Sequence, residues 1–158
     1  MSFFGKLFGD NPEITSLSDK ESFVGILYAI IAADGEITQE EGQDFMTMVS
    51  RAKIMTSVTG NQWRDIIGKV QKIVKRGSPE KLVNLAVQNI PDDMKAGTFA
   101  YACELVFADG FADEDEQKLL DIIKRELHIE DDLVYKVAKI VTIKNRIYKN
   151  ISSAQRII

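Results

Sequence analysis

Residues 26–41 read ILYAIIAADGEITQEE, and residues 101–116 read YACELVFADGFADEDE, the same pattern 75 positions later. Each copy runs from an apolar helix end through Ala-Asp-Gly to a Thr or Asp able to cap, and then into acids. Asp34 aligns with Asp109, Gly35 with Gly110, Thr38 with Asp113 and Glu41 with Glu116. Gly35 and Gly110 can take the positive φ that ends a helix without a side-chain clash. Thr38 and Asp113 can accept from first-turn N–H groups of the next helix, and Glu41 and Glu116, three residues on, can reach back to the cap's own N–H. Ile37 and Ala112 stand just before the caps, where an apolar staple residue belongs. The simplest structure with this pattern is a pseudo-two-fold pair of helical hairpins.

Helix signals fill the rest of the chain. Ser18 with Glu21 spells a further capping box, and Phe23, Ile26, Leu27 and Ile30 gather on one face of a helix over about 19–33. Phe45, Met48, Val49 and Met55 extend a second over about 39–56, until Thr59-Gly60-Asn61 interrupts it. Trp63, Ile66, Ile67, Val70, Ile73 and Val74 point inward from a third over about 61–76, which Gly77 ends. Ser78-Pro79 opens a fourth, with proline at the first helical position. Pro91 separates it from a fifth over about 93–108; a sixth covers about 114–127 and a last about 130–150, with a break near Thr142. Strand signals are weak throughout, so the expected fold is all-α, a compact bundle of about seven helices hiding their apolar faces on one another.

The 158 residues suit one core. Residues 17–158 form one expected domain, and 1–16 an apolar N-terminal tail. Phe3, Phe4, Leu7 and Phe8 surround Lys6 there, a cluster that either folds over the body or docks on a membrane or partner. The single cysteine, Cys103, sits in an apolar stretch and reads as a buried thiol. No run is long enough to cross a bilayer and no signal peptide is evident, so a cytoplasmic location is expected. Residues 1–132 hold all 24 acids against 14 Lys and Arg, whereas 133–158 hold Lys136, Lys139, Lys144, Arg146, Lys149 and Arg156 and no acid. That segment can meet phosphate, an acidic partner or acids of its own fold. Aromatic interleaving is confined to Tyr135 and Tyr148, and nucleic-acid binding is not expected.

Acids crowd both repeated turns: Asp34, Glu36, Glu40 and Glu41 in the first, and Asp109, Asp113, Glu114, Asp115 and Glu116 in the second. They serve as caps, as a divalent cation site, as an acidic docking patch, or as the last two together. Converging carboxylates repel unless a cation or basic side chains neutralise them, and hard cations such as calcium or magnesium suit oxygen ligands. An EF-hand is excluded, because its first two ligand positions would fall on Ile30 and Ala32, and on Leu105 and Phe107 in the repeat. One His and one Cys cannot build a zinc cluster. A cation site here needs the two turns to pool their acids, which requires them to approach to about one helix diameter, roughly 10 Å.

AIIAADGEITQEE in the first half and VFADGFADEDEQKLL in the second, on an all-helical frame over about 17–150, resemble the TerB family associated with tellurite resistance. The resemblance implies a bacterial, non-enzymatic bundle of about seven helices, tied to tellurite and other stress and to complexes near the inner face of the membrane. It also implies that acidic residues coordinate metal or present a negative surface. Asp34, Glu41, Asp109 and Glu116 match the motif positions, with Asp113 as a fifth candidate. Phe111 stands where the first turn has Glu36, so the second turn lacks that acid.

The chain has no G-x-S-x-G, no Walker-type phosphate loop, no H-E-x-x-H and no C-x-x-C, and His128 lies near a helix end. No enzymatic activity is expected. The main expectation is a cytoplasmic, stress-linked binding or scaffold module, peripheral to the membrane in one version, that works through its acidic turns with a protein partner. Two alternatives stand beside it: a metal-dependent hydrolase using the same turns, and a structural homodimer that buries the tail or the basic final segment between subunits.

Overall fold

Four helices begin on the same local device, in which the side chain of an N-cap residue accepts an N–H three residues on and the side chain of that third residue accepts the cap's own N–H. Ser18 with Glu21 starts α1 (Asp19–Ile31), Thr38 with Glu41 starts α2 (Gln39–Arg51), Thr59 with Gln62 starts α3 (Gly60–Arg76), and Asp113 with Glu116 starts α6 (Glu114–Glu126). Each box satisfies two donors that a helix start leaves open. Ser78 caps α4 (Pro79–Ala86) from ahead of Pro79, while α5 (Asp92–Val106) follows Pro91 without a side-chain cap. The last helix is α7 (Asp131–Gln155), and short 3-10 turns cover Lys53–Met55 and Val87–Asn89. The computed structural model describes residues 12–108 and 110–155, with side chains through 145; among them there are seven α-helices and no strand. The tail residues Phe3, Phe4, Leu7 and Phe8 lie outside this range.

α1 is the axis of the bundle. Every residue from Ser22 through Ile31 is buried, and α2, α3, α4, α5 and α6 all pack against it. The expectation of one apolar face on this helix is therefore corrected: a helix apolar all round is a central helix. Gly25 lets α4 approach closely, since a Cβ built there would stand 3.1 Å from Leu82 Cδ1. Phe23 meets Tyr101 of α5 edge-on, with centroids 5.4 Å apart, and Tyr28 meets Phe45 of α2 in the same way at 5.9 Å. Lys69 of α3 bonds Glu21 at 2.8 Å and ties α3 to the capped start of α1.

Three local expectations change. α2 ends at Arg51 because Ala52 turns extended (ψ 134), and the following 3-10 turn buries Met55 in the core. α7 is unbroken at Thr142, whose hydroxyl donates to the Ala138 carbonyl one turn back at 2.8 Å while its neighbour Val141 is buried. The staples do not form as apolar pairs: the position Ile37 would pack on is Gly42, and Gln117, the equivalent of Gly42, donates instead to the Ala112 carbonyl.

The end of α6 carries a left-handed residue that is not glycine. His128 has φ 55, its N–H bonds the Arg125 carbonyl, and the Ile129 N–H bonds the Lys124 carbonyl. These are the two bonds of a Schellman motif. Gly35, at φ 91, has nothing within 4 Å of its missing Cβ, so conformation and not space requires glycine there. Two substitutions should therefore move stability in opposite directions in urea unfolding. Gly35→Ala is expected to lose about 1 kcal/mol, and His128→Gly to gain a few tenths to about 1 kcal/mol.

Candidate functional site

The repeat is reproduced bond by bond. Ala32 N–H bonds the Tyr28 carbonyl, Ala33 the Ile30 carbonyl, and Gly35 the Ala32 carbonyl; 75 residues on, Phe107 bonds Cys103, Ala108 bonds Leu105, and Gly110 bonds Phe107. Gly35 and Gly110 have φ of 91 and 92. The caps repeat as well. Glu41 Oε2 accepts the Thr38 N–H at 2.8 Å and the Thr38 hydroxyl at 2.9 Å, and Glu116 Oε2 accepts the Asp113 N–H at 3.0 Å.

Because α1 packs on α5, the two turns open on one cleft of about 320 Å³. Its lining is drawn in equivalent pairs from the two halves: Ile30 with Leu105, Ile31 with Val106, and Glu41 with Glu116. Glu40 and Asp44 of α2 join the wall, and no Lys, Arg or His is among the described lining residues. Four carboxylates thus line the cleft beside apolar residues, with Glu40 and Asp44 exposed and Glu41 and Glu116 half-buried.

The sequence candidates divide. Glu41 and Glu116 both line this cleft. Asp34 does not line it: its Oδ1 accepts the Glu36 N–H at 3.0 Å and shapes its own turn. Asp113 is also absent from the lining, and its Oδ1 caps the Glu116 N–H at 2.8 Å. Asp109 lies outside the described residues. Asp44 was not among the sequence candidates, although its position three residues after Glu41 and four after Glu40 places all three acids on neighbouring rows of α2. Among the described residues, no group of three or more His, Cys, Asp or Glu converges as a metal cage. The carboxylates are instead oriented by their caps, through Oε2 of Glu41 and of Glu116.

A family model for tellurite resistance protein TerB matches residues 20–139. The chain belongs to the TerB family. The match spans both hairpins, from the start of α1 into α7. No curated protein and no solved structure matches the chain.

Elsewhere in this TerB-family fold, the reactive residue types are placed for structure. Cys103 is buried on α5, and burial pushes its thiol up to about 12. His128 is an exposed helix terminator. No described helix is long and apolar enough to cross a membrane.

Two outcomes test these placements. Thr38→Ala removes one half of the α2 cap and should lower stability by about 1 kcal/mol in denaturant unfolding, whereas Thr38→Asn should keep most of it. Cys103 should react with a thiol reagent at neutral pH no faster than the protein unfolds; fast labelling of the native protein would contradict its burial.

Proposed function

We propose that this TerB-family protein is a non-enzymatic binding module of tellurite and related stress resistance, and that its ligand site is the cleft between the two repeated turns. The observation that carries the reading is that Glu41 and Glu116 line one cleft together with apolar residues from equivalent positions of both halves. A hard divalent cation, calcium or magnesium, is the ligand this chemistry favours, because oxygen donors of like charge gain most from a shared cation. Glu41 and Glu116 would face it from opposite halves, and Glu40 and Asp44 would add negative charge from α2. The cation would compete with the caps for the same carboxylates, so binding would act on the starts of α2 and α6 and pass the state of the cleft to a docked protein.

The Glu41→Gln, Glu116→Gln double variant removes the charge and keeps the cap, since Gln fills the same role at Gln62. Calorimetric titration of chelator-treated protein with calcium and magnesium should give saturable heat for the native chain and none for the double variant, both equally helical by circular dichroism. No heat with either ion in the native chain would overturn the cation reading. Equal heat in both proteins would move the site away from Glu41 and Glu116.

A further inference from the structure

A row of basic residues runs along α3 into α4. Between Ile66 and Lys81 the chain carries Lys69, Lys72, Lys75, Arg76 and Lys81 against one acid, Glu80. Two of the five are already matched: Lys69 pairs with Glu21 of α1 and Lys81 with Glu13, each at 2.8 Å. Lys72, Lys75 and Arg76 are exposed and pair with no acid among the described residues. Their i, i+3, i+4 spacing sets three unmatched cations on neighbouring rows of α3, while Ile73 beside them is buried in the core. None of these residues lines the acidic cleft.

The chain enters the bundle over this row. Glu13 and Ile14 share a shallow hollow with Lys72, Ile73, Arg76 and Lys81, and the Glu13–Lys81 bond fixes the segment there. Three cations and one carboxylate therefore line the hollow among the described residues. Upstream of Pro12 the sequence reads MSFFGKLFGDN, with Phe3, Phe4, Leu7 and Phe8 around Lys6. Five residues of extended chain separate Phe8 from Glu13, a tether of about 18 Å at most. The hollow beside that tether has a volume of about 40 Å³. A cavity of about 150 Å³ is the kind that takes a single benzene ring. The body thus offers the phenylalanine rings no seat at this face.

We propose that this face docks on an anionic lipid bilayer, with Lys72, Lys75 and Arg76 meeting the headgroups and the Phe3–Phe8 cluster entering the acyl boundary. Either signal alone holds a protein weakly at a membrane, and the two together hold it stably. Lipid phosphate answers the unmatched cations and acyl chains answer the rings, two chemistries that a free phosphate does not offer together. No described helix is long and apolar enough to cross the bilayer, so the contact is peripheral. This inference does not rest on cation binding. Its test is run with chelator throughout, which also removes any divalent ion able to bridge the acidic cleft to lipid phosphate.

The full-length chain is sedimented with vesicles of phosphatidylcholine alone and of phosphatidylcholine mixed with phosphatidylglycerol in equal parts. It should bind the mixed vesicles at low salt, leave them at high salt and ignore the neutral ones. Lys72→Gln with Lys75→Gln and Arg76→Gln should lower partitioning onto the mixed vesicles on the order of a hundredfold. Phe3→Ser with Phe4→Ser and Phe8→Ser should lower it by about tenfold or more. Circular dichroism and the urea midpoint verify that both variants are folded. A native chain that ignores the mixed vesicles would overturn the proposal, as would binding that survives either variant. A tail variant with a lowered urea midpoint and undiminished vesicle binding would assign the rings to the body, and the proposal would again fall.

Discussion

The burial of α1 on every side is the constraint from which the rest of the bundle follows. A helix whose residues from Ser22 to Ile31 all avoid water must be surrounded, and α2, α3, α4, α5 and α6 are the elements that surround it. Its apolar contacts are non-directional, so position within the bundle is set by shape: Gly25 admits Leu82, and the Phe23–Tyr101 and Tyr28–Phe45 ring pairs locate α5 and α2. Two hydroxyls buried in this packing, Ser22 Oγ and Thr98 Oγ1, have no hydrogen-bond partner in the structure. Each is a local cost that surrounding apolar burial has to offset.

The cleft is a consequence of that arrangement. α1 and α5 end in the same Ala-Asp-Gly turn, and packing the two helices together brings their ends to one place. The next helices, α2 and α6, then start from the two sides of a shared opening. A helix start favours negative charge, both through capping and through the aligned peptide dipoles. Two such starts on one cleft concentrate carboxylates there for reasons of helix stability alone. Glu40, Glu41, Asp44 and Glu116 line that opening beside apolar residues of both halves.

Local devices were legible in the sequence because they are written within four residues. The boxes at Ser18, Thr38 and Asp113, the Ser78-Pro79 start and the left-handed glycine of each turn depend on neighbours along the chain, and each stands where the pattern placed it. The Thr59–Gln62 box obeys the same rule and was readable from its spacing. The break expected near Thr142 failed because propensity is a weak term: the Thr142 hydroxyl is satisfied within the helix by the Ala138 carbonyl, and burial of Val141 beside it favours a continuous α7. The amphipathic reading of α1 failed for a related reason, since periodicity can show that a face is apolar but not how many neighbours the fold will supply.

By itself, the sequence determined the helices, their caps, the repeated turn and the membership of the chain in the TerB family. It also set the unequal distribution of charge between the body and the last helix. Tertiary structure alone decided which acids share a cleft. It placed Glu41, Asp44 and Glu116 on the lining of one cleft, and left Asp34 and Asp113 shaping their own turns. The physical reason is range: capping and turn geometry act over three or four residues, whereas the meeting of residues 75 positions apart depends on how α1 and α5 pack.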